Sequence, residues 1–444
     1  ELFINISILT KLKKIFNKLP IQNWINQNKL INVSGTMTAL GASLVPKEIA
    51  LAIEDSLDVF IDINALQAEA SRVIAELTGA EAGCISACTA SGISIGLAAS
   101  ISGADVLVAE SMPSVKSPMN EVVILKGHNV SYGGRVEQHI HMVGAKPVEI
   151  GSVNLVEPYQ LRNAITSNTV AALWVVSHHT VQSGLLDFDT FVSICHSNDV
   201  PVIVDAASEY DLRIFIERDA DIVIYSGHKF LSGPTSGIIA GKLSLIRSAY
   251  YHQTCGIGRS MKVGKESIVG AIAALQRWQM MDHKKLHKLE YQRLKYIQSS
   301  LNEIKGLLVQ EEPDPTGNPI TRLKISIDPK NSSMSLEKLI ELLKVGNPSV
   351  IVRDHFVDNG FFEIDPCNLN EGGAEIVVSR FKEAQDALLK DTPVQSEEDE
   401  LGPRYSCYNQ DGLPSVDPKK VSWLFKRNKD REDSLNNLPA SFQH

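Results

Sequence analysis

No stretch of this 444-residue chain approaches the roughly 20 uninterrupted apolar residues that a helix needs to cross a bilayer, and no secretory signal pattern is visible. A membrane-spanning protein is therefore not expected. Basic residues are not in excess either. Lys and Arg number 43 against 52 Asp and Glu, a formal net charge of −9, which argues against a dedicated nucleic-acid binder and its basic face. Cysteine is sparse: Cys84, Cys88, Cys195, Cys255, Cys367 and Cys407 are too scattered for a disulfide framework. Only Cys84 and Cys88 stand at a metal-ligand spacing. They lie among small residues with no second pair, so buried thiols are expected there and no metal. A reducing compartment, the cytoplasm by default, is the expected setting. There is no internal repeat.

What is present is length and apolar content. With 444 residues, 43% of them hydrophobic, the chain can bury a large core in two or three domains. Residues 7–19, SILTKLKKIFNKL, read as a short basic amphipathic helix within an N-terminal helical segment, 1–35; packing on the body or on a partner subunit is expected, with membrane contact or the end of a targeting sequence as the alternatives. Leu66 to Thr78 repeats apolar residues at helical spacing and stops at Gly79. From Asp105 onward, short β-type runs alternate with helical stretches. The strands are expected at Val106 to Ala109, Val122 to Leu125, Pro147 to Ile150, Ala171 to Val176, Val200 to Val204 and Ile222 to Tyr225. Helices are expected at Val136 to Val143, Glu157 to Ile165 and Phe188 to Ser197. Such alternation predicts an α/β domain over 36–265, a mainly parallel sheet with helices on both faces and ligands beyond the carboxyl ends of its strands. One long helical pattern runs from Ile268 to Leu301 and predicts a linking helix within 266–305. A smaller α+β domain follows over 306–390, with strands at Thr321 to Ile327, Val350 to Arg353 and Phe361 to Ile364 and helices at Ser335 to Lys344 and Ala374 to Leu389. Residues 391–444 are charged and poor in apolar residues, and a tail that is disordered or draped over the body is expected.

The chemistry gathers in the middle. Residues 221–237, DIVIYSGHKFLSGPTSG, are a short apolar strand, a polar turn that carries Lys229, and then small and hydroxylic residues. A lysine at a strand end, crowded by amides and hydroxyls, is placed to lose its proton and attack a carbonyl; the alternative is a solvated loop lysine. Upstream by 24 positions, Asp205 ends the apolar run of residues 200–204. That separation fits one strand–helix–strand step, so the two residues are expected on adjacent strand ends, although a carboxylate there can also be a mere strand-end cap. A carboxylate beside a ring nitrogen keeps a pyridinium protonated, and an aldehyde-bearing pyridinium bonded to lysine is pyridoxal phosphate (PLP). Its phosphate needs an anion cradle. Thr89 or Ser91 as a helix N-cap, with Gly92 permitting close approach, could supply one together with Ser226, while tight packing is the other use of such small residues.

On these residues the chain resembles a known family. VIVDAASEYDL at 202–212, DIVIYSGHKFLSGPTSG at 221–237 and SHHTVQSG at 177–184 are similar to the PLP-dependent enzymes of fold type I. Within them the match is to the branch of bacterial selenocysteine synthase and D-glucosaminate-6-phosphate ammonia-lyase, nearer to the lyase-like members. The resemblance spans residues 30 to 390. It implies an aminotransferase-like fold, with a mostly parallel sheet of the seven-stranded type sandwiched by helices, and a homodimer or higher even homo-oligomer with sites at subunit interfaces. It further implies Lys229 as the Schiff-base lysine, Asp205 as the partner of the pyridine nitrogen, and Thr89, Ala90, Ser91 and Ser226 around the phosphate. His179 would meet the ring hydroxyl, His228 would join the cofactor-binding residues, and His128 would lie over the ring or near substrate. Arg259, in a basic loop, and Arg353, at a strand end of the small domain, would bind substrate. Each of these histidines also has an ordinary use as a hydrogen-bonded core or surface residue. Cys367 stands where relatives often carry arginine, which points to a changed substrate anchor. The selenocysteine synthases carry an N-terminal tRNA-binding module, but only about 30 residues precede the core here, so no nucleic-acid substrate is expected.

The expected activity is a PLP-dependent lyase acting on a small amino acid or amino sugar acid by α,β-elimination with release of ammonia. β-Replacement by sulfur or selenium, transamination, racemisation and aldol cleavage are open to the same residues. A non-catalytic scaffold of the same fold is the rival from another class.

Overall fold

A computed structural model describes residues 20–114, 119–330 and 335–389. The basic segment 7–19 and the tail 391–444 lie outside the described residues. By their internal contacts the described residues fall into two units. One holds residues 41–286 and 313–320, and the other holds 20–40, 287–312 and 321–389.

The strands in chain order are β1 (Leu30–Val33), β2 (Ala82–Ser86), β3 (Glu121–Leu125), β4 (Lys146–Ile150), β5 (Thr169–Val175), β6 (Val202–Ala206), β7 (Ile222–Ser226), β8 (Gly237–Gly241), β9 (Leu307–Pro313), β10 (Thr321–Ile327), β11 (Ser349–Val352) and β12 (Phe361–Ile364). The larger unit is built on one seven-stranded sheet in the order β2-β8-β7-β6-β5-β3-β4. Pairing is parallel from β7 through to β4, while β8 runs antiparallel to both β2 and β7.

Apolar residues alternate between two cores, as the two-residue period of a strand requires. Val223 and Tyr225 of β7 and Val202 and Val204 of β6 join one cluster with Ile74, Phe191 and Ile268. Ile222 and Ile224 of β7 and Ile203 of β6 join the other with Ile93, Leu97 and Ile140. Burial on both faces explains why these strands read as continuous apolar runs, and each fully buried aliphatic side chain contributes about 1.5–3 kcal/mol.

The helices obey local rules. Asp62 caps Ile63–Thr78 by accepting from the Asn64 and Ala65 N–H groups, and Gly79 ends that helix at φ +80°. The helix Thr89–Ser102 is buried nearly all round, and a Cβ at Gly92 would lie 2.7 Å from Ile224 Cγ2. The smaller unit packs Leu294, Ile297, Phe362 and Phe381 under a three-stranded sheet, β12-β10-β9, and a parallel pair, β1-β11. Among the described residues no helix is long and apolar enough to cross a membrane.

Three expectations need correction. Val106 to Ala109 is not a strand but the start of a helix, Val106–Ser111, because the Asp105 carboxylate accepts from the Leu107 and Val108 N–H groups and nucleates a turn. The long helix after Gly264 is two, Lys265–Met280 and His283–Leu301, broken where Met281 turns extended at ψ 140°. The N-cap of Thr89–Ser102 is Cys88, not Thr89 or Ser91; its Sγ accepts from the Ser91 N–H, and Ser91 Oγ closes the box with the Cys88 N–H at 3.0 Å.

β8 leaves no room for a side chain at its first residue. A Cβ on Gly237 would stand 2.4 Å from both Cys88 O and Ser86 Oγ. Gly237→Ala is expected to destabilise the protein by about 2 kcal/mol or more through overpacking, read as a lowered denaturant midpoint with an unchanged slope.

Candidate active site

β6 and β7 lie side by side in parallel with Asp205 opposite Ile224, so Asp205 and the turn after β7 share the carboxyl edge of the sheet. Asp205 is 7% exposed, and its Oδ1 accepts from the Ala207 N–H at 3.1 Å. Burial dominates and pushes the carboxyl up to about 6, although the Ala207 N–H and the positive charge of Lys229 pull the other way. Lys229 Nζ donates to Ser208 Oγ at 3.0 Å, three residues past Asp205. Thus the structure brings Asp205 and Lys229 to neighbouring strand ends and into electrostatic contact.

Lys229 lies in the connection between β7 and β8. That loop is cinched by Gly227 N–H to Ser236 O at 2.9 Å and Gly233 N–H to Gly227 O at 2.8 Å. Ser226, at the end of β7, is buried, and its Oγ lies 3.5 Å from His228 Nδ1. His228 Nε2 is buried with no hydrogen-bond partner among the described residues. Burial and the neighbouring Lys229 hold that imidazole below its ordinary pKa.

Thr89 and Ala90 open the buried helix beside this edge. Thr89 Oγ1 donates to Tyr225 O at 3.2 Å, and Ser91 Oγ is engaged with Cys88. What this end offers an anion is therefore chiefly the first amides of the helix, which have no carbonyl one turn back to bond.

His128 sits in the turn after β3, 3% exposed, edge-on to Trp174 at 4.4 Å. Its Nδ1 accepts from the Val175 N–H at 3.3 Å, and burial lowers its pKa to about 4, so the ring is neutral at physiological pH. Val175 is also the residue paired with Asp205 across β5 and β6, which puts His128 two strands from the carboxylate. His179 is exposed in the connection after β5, and its ring lies tilted against that of His178 at 4.0 Å. Arg259 is exposed in the short turn Ile257–Met261. Arg353 belongs to the smaller unit, buried, with Nε 2.9 Å from Glu363 Oε2. The structure therefore groups Asp205, Ser226, His228, Lys229 and the Thr89–Ser91 turn, with His128 and His179 on the adjoining strand ends. Arg259 belongs to the larger unit and Arg353 to the smaller one.

The sequence reading missed two groups. Ser208 is the partner of Lys229. Tyr132 Oη shares a hydrogen bond with His139 Nε2, and the two rings lie parallel at 6.0 Å. Burial, together with the charges of Asp205 and Cys88, pushes the Tyr132 phenol up, which places it in the electrostatic field of this site.

These residues fit pyridoxal phosphate. This edge holds a buried carboxylate that Lys229 balances only in part, the first amides of a helix, and a buried imidazole nitrogen with no hydrogen-bond partner among the described residues. The class so defined is the PLP-dependent enzyme of fold type I, and comparison with known proteins agrees. The sequence profile of the family described as SelA: L-seryl-tRNA selenium transferase matches residues 30–311. D-glucosaminate-6-phosphate ammonia lyase of Salmonella typhimurium is 36% identical over 363 residues, 82% of this chain and 97% of its own length. A solved structure of D-glucosaminate-6-phosphate ammonia-lyase superposes with a TM-score of 0.75, covering 83% of this chain and 99% of that one at 35% identity. The 5'-C-glycyluridine monooxygenase-decarboxylase of a Streptomyces species is 34% identical over 356 residues, 80% of this chain and 89% of its own. At 12% identity, ureidoglycine-glyoxylate aminotransferase from Bacillus subtilis shares the fold, with a TM-score of 0.56 over 83% of this chain and 95% of that one. The chain belongs to the L-seryl-tRNA selenium transferase family.

A carboxyl raised from the ordinary 3.8 to about 6 costs the cofactor-free protein stability. Below about pH 4 the folded and unfolded states are both protonated and the cost vanishes. It grows as pH rises through 6 and levels off near roughly 3 kcal/mol, at 1.36 kcal/mol per pH unit. Asp205→Asn apoprotein is therefore expected to outlast wild-type apoprotein in urea at pH 7.5, and to lose that advantage at pH 4.

Proposed function

We propose that this protein is a PLP-dependent ammonia lyase acting on an amino sugar acid, a class that includes D-glucosaminate 6-phosphate. One observation carries the reading. The chain is 36% identical to a D-glucosaminate-6-phosphate ammonia lyase across 97% of that enzyme, and Asp205 and Lys229 meet at adjacent strand ends within the matched span.

When bound, the cofactor supplies an electron sink that stabilises negative charge at the substrate α-carbon. The residues of this chain do the rest. Asp205 holds a proton on the ring nitrogen, because its own buried charge is best relieved by a cation. The amides of Thr89 and Ala90, with Ser226, bind the cofactor phosphate. Lys229 Nζ, as the neutral amine, takes the α-proton. The hydroxyl on the β-carbon leaves as water, and hydrolysis then releases ammonia and a 3-deoxy-2-keto acid, so the net change is loss of ammonia alone. Neutral His128 and exposed His179 would meet the ring of the bound cofactor, and exposed Arg259 would bind the acidic groups of the substrate.

The working protein is inferred to be a homodimer or higher even homo-oligomer in the cytoplasm. Leu51, Leu57, Val59 and fully exposed Phe60 are exposed apolar residues in and just after the helix Lys47–Leu57, where a second copy would dock. The five described cysteines are all free, in keeping with a reducing compartment.

Two measurements test this. Lys229→Ala and Asp205→Ala are each expected to lose roughly a hundredfold or more of keto-acid release from a phosphorylated amino sugar acid, and Asp205→Ala turning over like wild type would remove the electron-sink argument. Phe60→Asp is expected to elute as a smaller species on size exclusion with its fold intact; an unchanged elution volume would show that Phe60 is not at an interface.

A further inference from the structure

The loop that follows Asp205 is held from far along the chain. The connection between β9 and β10, residues 313–320, groups by its contacts with the larger unit. Asn318 sits there, 8% exposed, and its amide is used on both sides against the backbone at 208–210. Nδ2 donates to Ser208 O at 2.8 Å, and Oδ1 accepts from the Tyr210 N–H at 2.8 Å. This bidentate pair imitates a strand neighbour for Ser208, Glu209 and Tyr210, which have none in the sheet. Thr316 Oγ1 accepts the second Nδ2 proton at 2.8 Å and so fixes the amide's orientation. Between the two clamped backbone groups and Asp205 stands the Ser208 hydroxyl that receives the Lys229 ammonium at 3.0 Å.

We propose that Asn318 is a positioning residue for the catalytic amine: by clamping the backbone of Ser208 and Tyr210 it aims Ser208 Oγ, and through it Lys229 Nζ, at the site. The proposal rests on the reading of Lys229 as the cofactor-bonded base. Backbone groups of a connection ordinarily drift with solvent. A bidentate side-chain amide removes that freedom for three residues, and Ser208 inherits a fixed hydroxyl. The chain therefore act as one unit, Asn318 to Ser208 to Lys229, and the effects of changing its members should not add.

The test uses the cofactor-loaded protein and four variants, Asn318→Ala, Asn318→Asp, Ser208→Ala and the Ser208→Ala/Asn318→Ala double. Asn318→Asp keeps an oxygen for the Tyr210 N–H but cannot donate to Ser208 O, and it keeps the test alive if Asn318→Ala does not fold. Each single variant is expected to lose about tenfold in kcat, the worth of one hydrogen bond, with KM within about twofold. Each is also expected to shift the pH midpoint of the bound cofactor's visible absorbance, and the double variant should be no worse than Ser208→Ala. The proposal is overturned if the absorbance midpoint and kcat of folded Asn318 variants match wild type, or if the double variant loses the product of the single losses. Failure of the underlying reading looks different: borohydride would then fix cofactor to Lys229→Ala as readily as to wild type.

Discussion

The structure turns on one buried charge. Asp205 sits near the middle of a seven-stranded sheet, almost without solvent, with a single backbone amide on its carboxylate. A carboxylate so placed is unfavourable until a cation arrives. The protein meets that need only in part, through the positive charge of Lys229 on the next strand end. The remaining deficit is what a pyridinium nitrogen would fill. Affinity for a cofactor and the electronic state of its ring would then share one physical source, a fold that tolerates an under-compensated acid at its centre.

Much of this was legible in the sequence because the parallel sheet is governed by simple periodicity. Apolar runs buried on both faces, punctuated by polar turns, gave the strand-end positions of Asp205 and Lys229 without knowledge of their partners. What escaped was decided by local capping or by distance. Val106-Leu-Val108 looks like a strand, yet the single carboxylate of Asp105 turns it into a helix. The Cys88 thiol does the work that hydroxyls usually do at a helix start, so residue preference pointed one position too far along. The antiparallel strand β8, GIIAG, is short and bounded by glycine, and its identity comes from the close approach of Cys88 O and Ser86 Oγ, which only packing reveals. Asn318 lies more than a hundred residues from the loop it clamps, and no spacing rule connects them. Tyr132 meets His139 across an irregular turn marked by the Ser131–Arg135 bridge, where neither helical nor strand periodicity applies.

The comparisons put this division of labour in a wider frame. An ammonia lyase and a monooxygenase-decarboxylase stand at 36% and 34% identity to the same chain. Two relatives of such different names at nearly equal distance show that likeness over most of the chain does not by itself fix the reaction.

The loop that bears Lys229 has a narrow neck. Ser226 faces Gly237 across the antiparallel ladder, and Gly227 and Ser236 close the next rung. The root of the lysine is therefore set by sheet registry and not by the loop's own composition. Slippage of β8 by one position would turn its side chains over and carry Lys229 away with them.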